Sequence, residues 1–351
     1  MMTTRLPEEF LTQIKDLLGD NEANLLAEAL EQEPSVAIRT NTRKPCTLPQ
    51  WADAGHKVAW SINGRYLDER PQFTFTPQLH AGGFYVQDAS SMIHELILKQ
   101  IASERPICYL DLCAAPGGKT TAAINMLAEG SLVVANEYVP MRSQILKENI
   151  QKWGYPNVIV TNSSVERLCK TPGLYDIIAI DAPCSGEGMM RKDEEARRQW
   201  SKSLVSECAA LQWQIVCDSW DTLKQDGYLI YSTCTFNRQE NEDMVDRICA
   251  ELVQKVSDWK SKTIGVFSRD WTPRIIATDL CNTTRVARVC LSPSYARQPS
   301  RKIGNHANPN APAKRQSCRP SIGYRATIGT SPNTTALSAP SVTTTHRYST
   351  K

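Results

Sequence analysis

Between residues 87 and 263 the chain alternates short apolar runs of strand length with longer segments of helical periodicity. Strands are predicted at 107–112, 131–136, 157–161, 176–181 and 227–233. Helices are predicted at 90–101, 119–128, 140–152 and 203–224. Such alternation implies crossover connections, and these produce a mainly parallel sheet with helices on its faces. The predicted fold class is therefore α/β.

Three of the predicted strands run into loops that carry small or reactive side chains. The loops are Asp111–Thr120, Asp181–Gly186, which contains Cys184, and Ser232–Thr235, which contains Cys234. Parallel sheets place functional groups at the carboxyl ends of their strands. We therefore expect a cofactor loop, a recognition loop and a nucleophile loop at one edge of one sheet.

Both loop cysteines are predicted to be catalytic, although a single cysteine is usually a core residue. Cys184 is flanked by Pro183 and by Ser185 and Gly186, which favour a turn, and Cys234 lies among hydroxyl residues just after a strand. Reactive thiols need this kind of partial exposure. Core or helix-face positions are predicted instead for three other cysteines, Cys113, Cys217 and Cys249.

The first loop does not match the common nucleotide-binding motifs. A P-loop requires a glycine where Cys113 stands, and Gly-x-Gly-x-x-Gly is absent. Gly117 and Gly118 still allow backbone N–H groups to approach a ligand at a helix N-terminus. Glu137 ends the next predicted strand, where a ribose-binding acid belongs. We interpret the loop and Glu137 as a cofactor site; the alternative is a plain glycine turn and a solvated acid.

Composition excludes several classes of protein. The apolar content of 41% suffices for a sizeable core, and no run reaches the roughly 18–20 apolar residues of a membrane span. The N-terminus shows no signal-peptide pattern, so the 12 cysteines are predicted to be reduced cytoplasmic thiols. Neither the cysteines nor the five histidines show metal-ligand spacing, so no metal is expected.

The net charge of +3 is unevenly distributed. Residues 264–351 hold 13 Lys and Arg but only two acids, a net charge of +11, so residues 1–263 carry −8. The basic balance is therefore no argument for nucleic-acid binding by the folded part. Residues 264–351 also lack sustained periodicity and are rich in Ser, Thr, Pro and Asn, which favours disorder.

Residues 1–82 are predicted to form a small mixed α/β domain. Apolar residues recur at helical spacing from Leu6 to about Arg43, and a short strand is predicted at Val36–Arg39. Residues 44–86 combine loops and short strands with many aromatic residues. Packing is favoured over stacking on RNA bases for these residues, because most are not surrounded by Lys or Arg: Trp51, Trp60, Tyr66, Phe73, Phe75, Phe84 and Tyr85.

The three loops together resemble the hallmark motifs of the Sun-type RNA cytosine-5 methyltransferases. Asp111–Thr120, Asp181–Gly188 and Ser232–Thr235 occur in the order found in that family, and Gly83–Asp88 and Asn237–Glu242 are similar to it as well. Among its members the chain most resembles the bacterial RsmF-like (YebU-like) ribosomal RNA enzymes. The resemblance covers about residues 5–263. It implies a Rossmann-like methyltransferase domain at 83–263, after an N-terminal RNA-binding or packing domain at 1–82.

The resemblance also implies roles for individual residues. Cys234 would be the nucleophile that adds to carbon 6 of cytosine, and Cys184 would assist release of the adduct. Asp181 would hydrogen-bond the base, and Lys119 would orient the cofactor loop or the base. The implied cofactor is S-adenosylmethionine, with Asp176 as a weaker contact and with these residues as its binding site: Cys113, Ala114, Ala115, Pro116, Gly117, Gly118, Lys119, Glu137 and Asp181.

The implied partner is ribosomal RNA, most simply 16S RNA, either free or within the assembled small subunit. No membrane and no metal are expected, and the protein is expected to be a cytoplasmic monomer. Three alternatives stay open: transfer RNA as substrate, a non-catalytic RNA-binding relic, and a DNA cytosine-5 methyltransferase. In the last of these the Pro-Cys cysteine is the nucleophile, but that family lacks the Ser-Thr-Cys-Thr motif.

Two departures from the family pattern stand out. The family usually has an Asp at about Ser164, near the cofactor adenine, and here Ser164 or Asn162 would have to replace it. Residues 264–351 show neither the expected final strand pair nor an RNA-binding extension. We expect them to be a basic tail, either disordered or the product of a frameshift near codon 264; a natural basic RNA-binding arm is the alternative. Reading the DNA in all three frames tests the frameshift.

Overall fold

The computed structural model describes residues 5–53, 56–102 and 104–252, so the predictions for residues 264–351 lie outside the described residues. The first elements are the helices α1 (Glu8–Leu18) and α2 (Asp20–Glu31), which are joined at Gly19. Their apolar faces do not form a separate core. Phe10, Ile14, Leu26 and Leu30 pack with later residues of the chain, namely Met190, Trp200, Val205 and Phe236.

A small antiparallel sheet follows these helices. Its strands are β1 (Val36–Thr40), β2 (Gly64–Leu67) and β3 (Phe84–Val86), in the order β2-β1-β3. Short helices α3 (Gln50–Asp53) and α4 (Pro77–His80) and a 3-10 turn (Phe73–Phe75) lie in the connections. The mixed α/β character predicted for the N-terminal domain is confirmed. The boundary predicted at residue 82 falls just before β3.

Most aromatic residues of this region pack, as predicted. Trp60, Phe73 and Phe84 are buried, and the Trp51 ring lies edge-on to the Phe73 and Phe84 rings at centroid distances of 5.8 Å. Phe75 differs, because 80% of its surface is exposed. Its neighbours Thr74 and Thr76 gave no signal that this ring turns away from the core.

The second sheet is parallel and has five strands. They are β4 (Cys108–Asp111), β5 (Leu132–Asn136), β6 (Val158–Thr161), β7 (Tyr175–Asp181) and β8 (Leu223–Ser232), in the order β6-β5-β4-β7-β8. The chain runs outward from β4 to β6 and then returns to β7 beside β4. This return creates a switch point between β4 and β7, where α/β sheets bind their ligands. The predicted Rossmann-like fold is confirmed.

Helices cover both faces of this sheet. The helices from residue 93 onward are α5 (Ile93–Ile101), α6 (Gly118–Met126), α7 (Pro140–Trp153), α8 (Val165–Leu168), α9 (Glu194–Gln199), α10 (Lys202–Trp220) and α11 (Glu242–Glu251), with 3-10 turns at Ser90–Met92 and Glu187–Arg191. Residues of α5, α6 and α7 pack on one face, around Tyr109 and Val133. Residues of α10 and α11 pack on the other, around Leu110 and Ile180.

The start of β8 differs from the prediction. A helix was expected to reach residue 224 and a strand to begin at 227, but α10 ends at Trp220 and β8 begins at Leu223. Tyr175 pairs with Leu223, whereas Ile177 pairs with Tyr228, so the register shifts between them. Gly227 therefore lies beside a bulge inside a strand, and not in a loop between a helix and a strand.

Candidate active site

The loops after β4, β7 and β8 meet at the carboxyl edge of the parallel sheet. The Lys119 ammonium, in the first turn of α6, donates to the Asp181 carboxylate at the end of β7. The Ser232 hydroxyl, at the end of β8, donates to the same carboxylate oxygen at 3.0 Å. The prediction that the three loops share one edge of the sheet is therefore supported by direct side-chain contacts.

The loop between β4 and α6 has the geometry of a ligand-binding turn. Gly117 has a φ of +109°, a conformation that L side chains rarely adopt, and α6 begins at the next residue. The Ala114 N–H donates to the Asn136 carbonyl at 2.9 Å, which ties the loop to the end of β5. The N–H groups of the first turn of α6 are suited to a carboxylate or another anionic group.

Glu137 supplies a buried acceptor beside this loop. Its Oε1 atom accepts from the Val139 N–H at 2.9 Å, whereas no described residue donates a hydrogen bond to its buried Oε2 atom. The half-exposed Arg142 guanidinium lies 3.6 Å from Oε2. A buried carboxylate oxygen without a donor is costly unless a ligand supplies one. The hydroxyl of a ribose would do so, and the site therefore fits a nucleoside-containing cofactor such as S-adenosylmethionine.

Asp111, where the same loop begins, is buried beneath it. Its Oδ2 atom accepts from the Thr120 hydroxyl at 2.6 Å, and burial, opposed in part by this bond, raises the pKa of Asp111 to about 7. The folded state therefore holds a proton that the unfolded chain releases near pH 4. The contribution of Asp111 to the free energy of unfolding is fully present below pH 4 and is lost as the pH rises towards 7.

We expect Asp111→Asn to remove this pH dependence, because the amide oxygen can still accept from Thr120 but does not ionise. Relative to the wild type, the variant should gain roughly 2–3 kcal/mol between pH 5 and pH 8, because about two of the three pKa units fall in that range. Urea unfolding at both pH values measures the difference. An equal effect at pH 5 and pH 8 would contradict the assignment.

The two candidate catalytic cysteines are in direct contact. Their Sγ atoms lie 3.1 Å apart, and the Cys234 N–H points at the Cys184 sulfur at 3.4 Å. The hydrogen bond with Cys234, followed by burial, raises the pKa of the Cys184 thiol well above its usual value. Cys184 therefore stays protonated and can donate to a thiolate at Cys234. This division fits the predicted roles of the two residues.

Glu240 holds the two cysteine loops together. Its side chain is buried and accepts four hydrogen bonds: from the Ser185 N–H at 3.0 Å, the Ser185 hydroxyl, the Gln212 amide at 2.7 Å and the Asn237 amide at 2.7 Å. The Tyr231 hydroxyl donates to the Glu240 carbonyl at 2.8 Å. One carboxylate thus connects the residue after Cys184 with the segment after Cys234.

Glu187 makes a second connection of this kind. Its Oε2 atom accepts from the Phe236 N–H at 2.6 Å and the Asn237 N–H at 2.9 Å. Its Oε1 atom accepts from the Gln13 amide of α1 at 2.9 Å and the Trp200 indole at 3.1 Å. Neither Glu187 nor Glu240 was predicted to have a role. Their positions among small and polar residues just beyond each cysteine were the available signal.

The structure corrects the prediction for Asp176. This residue lies at the amino end of β7, whereas the cofactor loop lies at the carboxyl end of the sheet. Its Oδ2 atom accepts from the Cys108 N–H and the Lys224 ammonium, both at 2.8 Å. Asp176 therefore closes the opposite edge of the sheet and does not contact the cofactor site.

Asn162 and Ser164 lie beyond β6. The Asn162 amide donates to the Glu137 carbonyl at 2.6 Å and the Tyr138 carbonyl at 2.9 Å, so it supports the backbone around the buried acid. Ser164 precedes α8 without a side-chain capping bond. Whether either residue replaces the expected Asp as an adenine contact stays a prediction.

The described residues contain no group of three or more His, Cys, Asp or Glu side chains that could hold a metal ion. None of the helices within the described ranges is long and apolar enough to cross a membrane.

Comparisons with known proteins agree with the geometry. The family model described as 16S rRNA methyltransferase RsmB/F matches residues 96–274. The model described as the N-terminal domain of 16S rRNA methyltransferase RsmF matches residues 6–89.

Individual relatives match over a similar part of the chain. The ribosomal RNA small subunit methyltransferase F of Aeromonas salmonicida is 39% identical, over 73% of this chain and 55% of its own. That of Psychromonas ingrahamii is 35% identical, over 69% and 53%. This chain therefore spans about half the length of these curated relatives. A crystal structure of a methyltransferase homolog from Pyrococcus horikoshii is 26% identical, covers 70% of this chain and 79% of its own, and superposes with a TM-score of 0.60.

Proposed function

Since this chain belongs to the 16S rRNA methyltransferase RsmB/F family, we propose that it methylates carbon 5 of a cytosine in RNA. The proposed cofactor is S-adenosylmethionine and the proposed substrate is 16S ribosomal RNA. The single observation that carries the chemistry is the 3.1 Å contact between the Cys184 and Cys234 sulfurs at the edge of the sheet where the cofactor loop lies.

Carbon 5 of cytosine is a poor nucleophile, which explains the need for a thiol. When bound, S-adenosylmethionine supplies an electrophilic methyl group. Cys234 forms a bond from its sulfur to carbon 6, and the electrons of the ring double bond then make carbon 5 nucleophilic. The target base has to leave its stack to reach the thiol.

Asp181 and Lys119 are proposed to act on the base during addition. The Asp181 carboxylate is more than one-third exposed, although Lys119 and Ser232 both donate to it. It can therefore still accept a hydrogen bond from the exocyclic amine or the ring nitrogen of cytosine, which favours the charge that develops on addition. Lys119 orients this carboxylate, and its position on α6 links base recognition to the cofactor loop.

Release of the product breaks two bonds. A base from the solvent takes the proton on carbon 5, the electrons of that C–H bond reform the ring double bond, and the bond between carbon 6 and the Cys234 sulfur breaks with its electron pair on the sulfur. Cys184 is proposed to assist this step, because its protonated thiol lies against the departing sulfur. A hydrogen bond from Cys184 stabilises the thiolate that forms on Cys234.

The substrate assignment is tested by methyl transfer. Total RNA, purified 16S RNA, small subunits, transfer RNA and duplex DNA are each incubated with the full chain and radiolabelled S-adenosylmethionine. We expect label in 16S RNA, either free or within the small subunit, as 5-methylcytosine. Label only in transfer RNA or only in DNA would favour those alternatives, and RNA binding without transfer would favour a non-catalytic relic.

The protein is also proposed to be a monomer and to act in the cytoplasm.

Glu137→Ala is expected to weaken S-adenosylmethionine binding about 10- to 100-fold, since a hydrogen bond to a charged group contributes roughly 1.5–3 kcal/mol. Titration calorimetry measures this on the full chain. Glu148→Ala is the matched control, because Glu148 is an exposed acid on α7, and it should bind like the wild type. ATP should not bind. Tight ATP binding without S-adenosylmethionine binding would contradict the cofactor assignment.

A further inference from the structure

Two residues of the small antiparallel sheet face the cofactor loop. Arg39 on β1 and Tyr85 on β3 are direct partners in the antiparallel register. Paired residues of antiparallel strands project from the same face of their sheet. Gln87, two residues after Tyr85, projects from this face as well and accepts from the Arg39 Nε atom at 2.8 Å.

Arg39 donates hydrogen bonds to the first turn of α6. Its side chain is fully buried, and its Nη2 atom donates to the Gly118 carbonyl at 3.1 Å and to the Thr121 hydroxyl at 2.5 Å. Burial lowers the pKa of Arg39 to about 10, so the side chain remains charged at neutral pH. The Glu95 carboxylate, 3.9 Å from Nη1, offsets part of this charge. A buried guanidinium is expensive, and its bonds to α6 offset part of that cost.

Tyr85 holds the preceding part of the loop. Its hydroxyl donates to the Pro116 carbonyl at 3.1 Å, and the Asn149 amide donates to the same carbonyl at 2.8 Å. Burial raises the pKa of Tyr85 to about 12, so the hydroxyl stays a donor. A Cβ atom at Gly118 would lie 3.2 Å from the Gln87 amide, so the small sheet closely approaches the loop.

The direction of these bonds matters for the ligand side of the loop. In a trans peptide the carbonyl and the following N–H point in opposite directions. Bonds that draw the Pro116 and Gly118 carbonyls towards the small sheet therefore direct the N–H groups of Gly117 and Lys119 away from it. Those N–H groups belong to the turn and to the N-terminus of α6, where an anionic group of a ligand binds most favourably.

We propose that Arg39 and Tyr85 are positioning residues of the cofactor site, and that the small antiparallel sheet supports the cofactor loop from behind. Cofactor affinity then depends on side chains that act through the loop. This inference rests on the proposed function, because S-adenosylmethionine is the ligand it concerns.

The test compares two pairs of variants in the full chain. Tyr85→Phe removes one hydroxyl and should weaken S-adenosylmethionine binding about 2- to 10-fold, the effect of one neutral hydrogen bond. Arg39→Lys keeps a charge but loses the planar fork and should weaken binding about 10- to 100-fold. The KM for S-adenosylmethionine should rise by the same factors while kcat is little changed.

Two residues of the same types that bond other backbone carbonyls serve as matched controls. The Arg43 side chain donates to the Ile124 and Leu127 carbonyls at the opposite end of α6, and the Tyr155 hydroxyl donates to the Ser131 carbonyl at 2.9 Å. Arg43→Lys and Tyr155→Phe thus remove comparable bonds without touching the loop. They should bind S-adenosylmethionine within about twofold of the wild type, since effects at separate sites are largely independent.

Each result has a distinct meaning. Weaker binding by Tyr85→Phe and Arg39→Lys, with both controls unchanged, supports the inference. The inference is overturned if Tyr85→Phe binds S-adenosylmethionine as tightly as the wild type, or if the controls lose as much affinity. Tyr85→Phe decides the question even if Arg39→Lys fails to fold. A folded wild-type chain that does not bind S-adenosylmethionine contradicts the proposed function itself.

Discussion

Cys184→Ala should accumulate a covalent complex between the protein and RNA, whereas Cys234→Ala should form none. The Cys234 sulfur makes the bond to carbon 6, so its removal is expected to lower the methylation rate on the order of 10⁴-fold or more, as loss of a nucleophile does in other enzymes. Without Cys184, addition still occurs, but the hydrogen bond to the departing sulfur is lost and release slows. A denaturing gel with labelled RNA shows the complex as a slowly migrating band.

Cys249→Ala serves as the control, because Cys249 is an exposed cysteine of α11. It should methylate RNA normally and accumulate no adduct. A slow band with Cys234→Ala and none with Cys184→Ala would reverse the two roles. The division of labour would then be that of the DNA enzymes, in which the cysteine after proline is the nucleophile.

Glu240→Ala should lower the free energy of unfolding by about 3–5 kcal/mol, because it removes the buried acceptor of four hydrogen bonds. Domains of this kind are stable by roughly 5–15 kcal/mol, so the loss is a large share of the total. Burial disfavours the charged form of Glu240 and raises its pKa, although its hydrogen bonds oppose the shift. Glu240→Gln removes that charge and keeps one acceptor, so its loss should be smaller.

Urea unfolding followed by tryptophan fluorescence measures both variants. Gln239→Ala is the matched control at the neighbouring exposed position and should change stability by less than about 0.5 kcal/mol. Since Glu240 joins the Ser185 and Asn237 segments, Glu240→Ala should also slow methylation at temperatures where it remains folded. A loss below 1 kcal/mol would show that the Glu240 contacts contribute little to the fold.

Much of the catalytic domain was predictable because its signals are local. Strand length, helical period and glycine turns are properties of neighbouring residues, and they placed β4 to β7 within about one residue of their observed ends. The bulge at Gly227 was not predictable in the same way. A turn signal inside a strand becomes a bulge only when a neighbouring strand, here β7, pairs on both sides of it.

The candidate site was predictable to the same extent. Cys184, Cys234 and the loop at Pro116–Lys119 were singled out because reactive and small residues follow strand-length apolar runs. The position of Asp176 was misjudged, although the edge of a parallel sheet at which a residue lies follows from its place in the strand. Asp176 begins β7 and therefore lies at the edge opposite the cofactor loop.

The sequence by itself determined the parallel sheet, the edge that carries the site and the residue types available there, since each depends on patterns within a few neighbouring residues. Only the tertiary structure decided which groups support them. Arg39 reaches Gly118 across 79 positions of the chain, and Glu240 reaches Ser185 across 55. The energetic cost of a buried charge depends on the donors and acceptors that folding brings to it, and those partners leave no local pattern in the sequence.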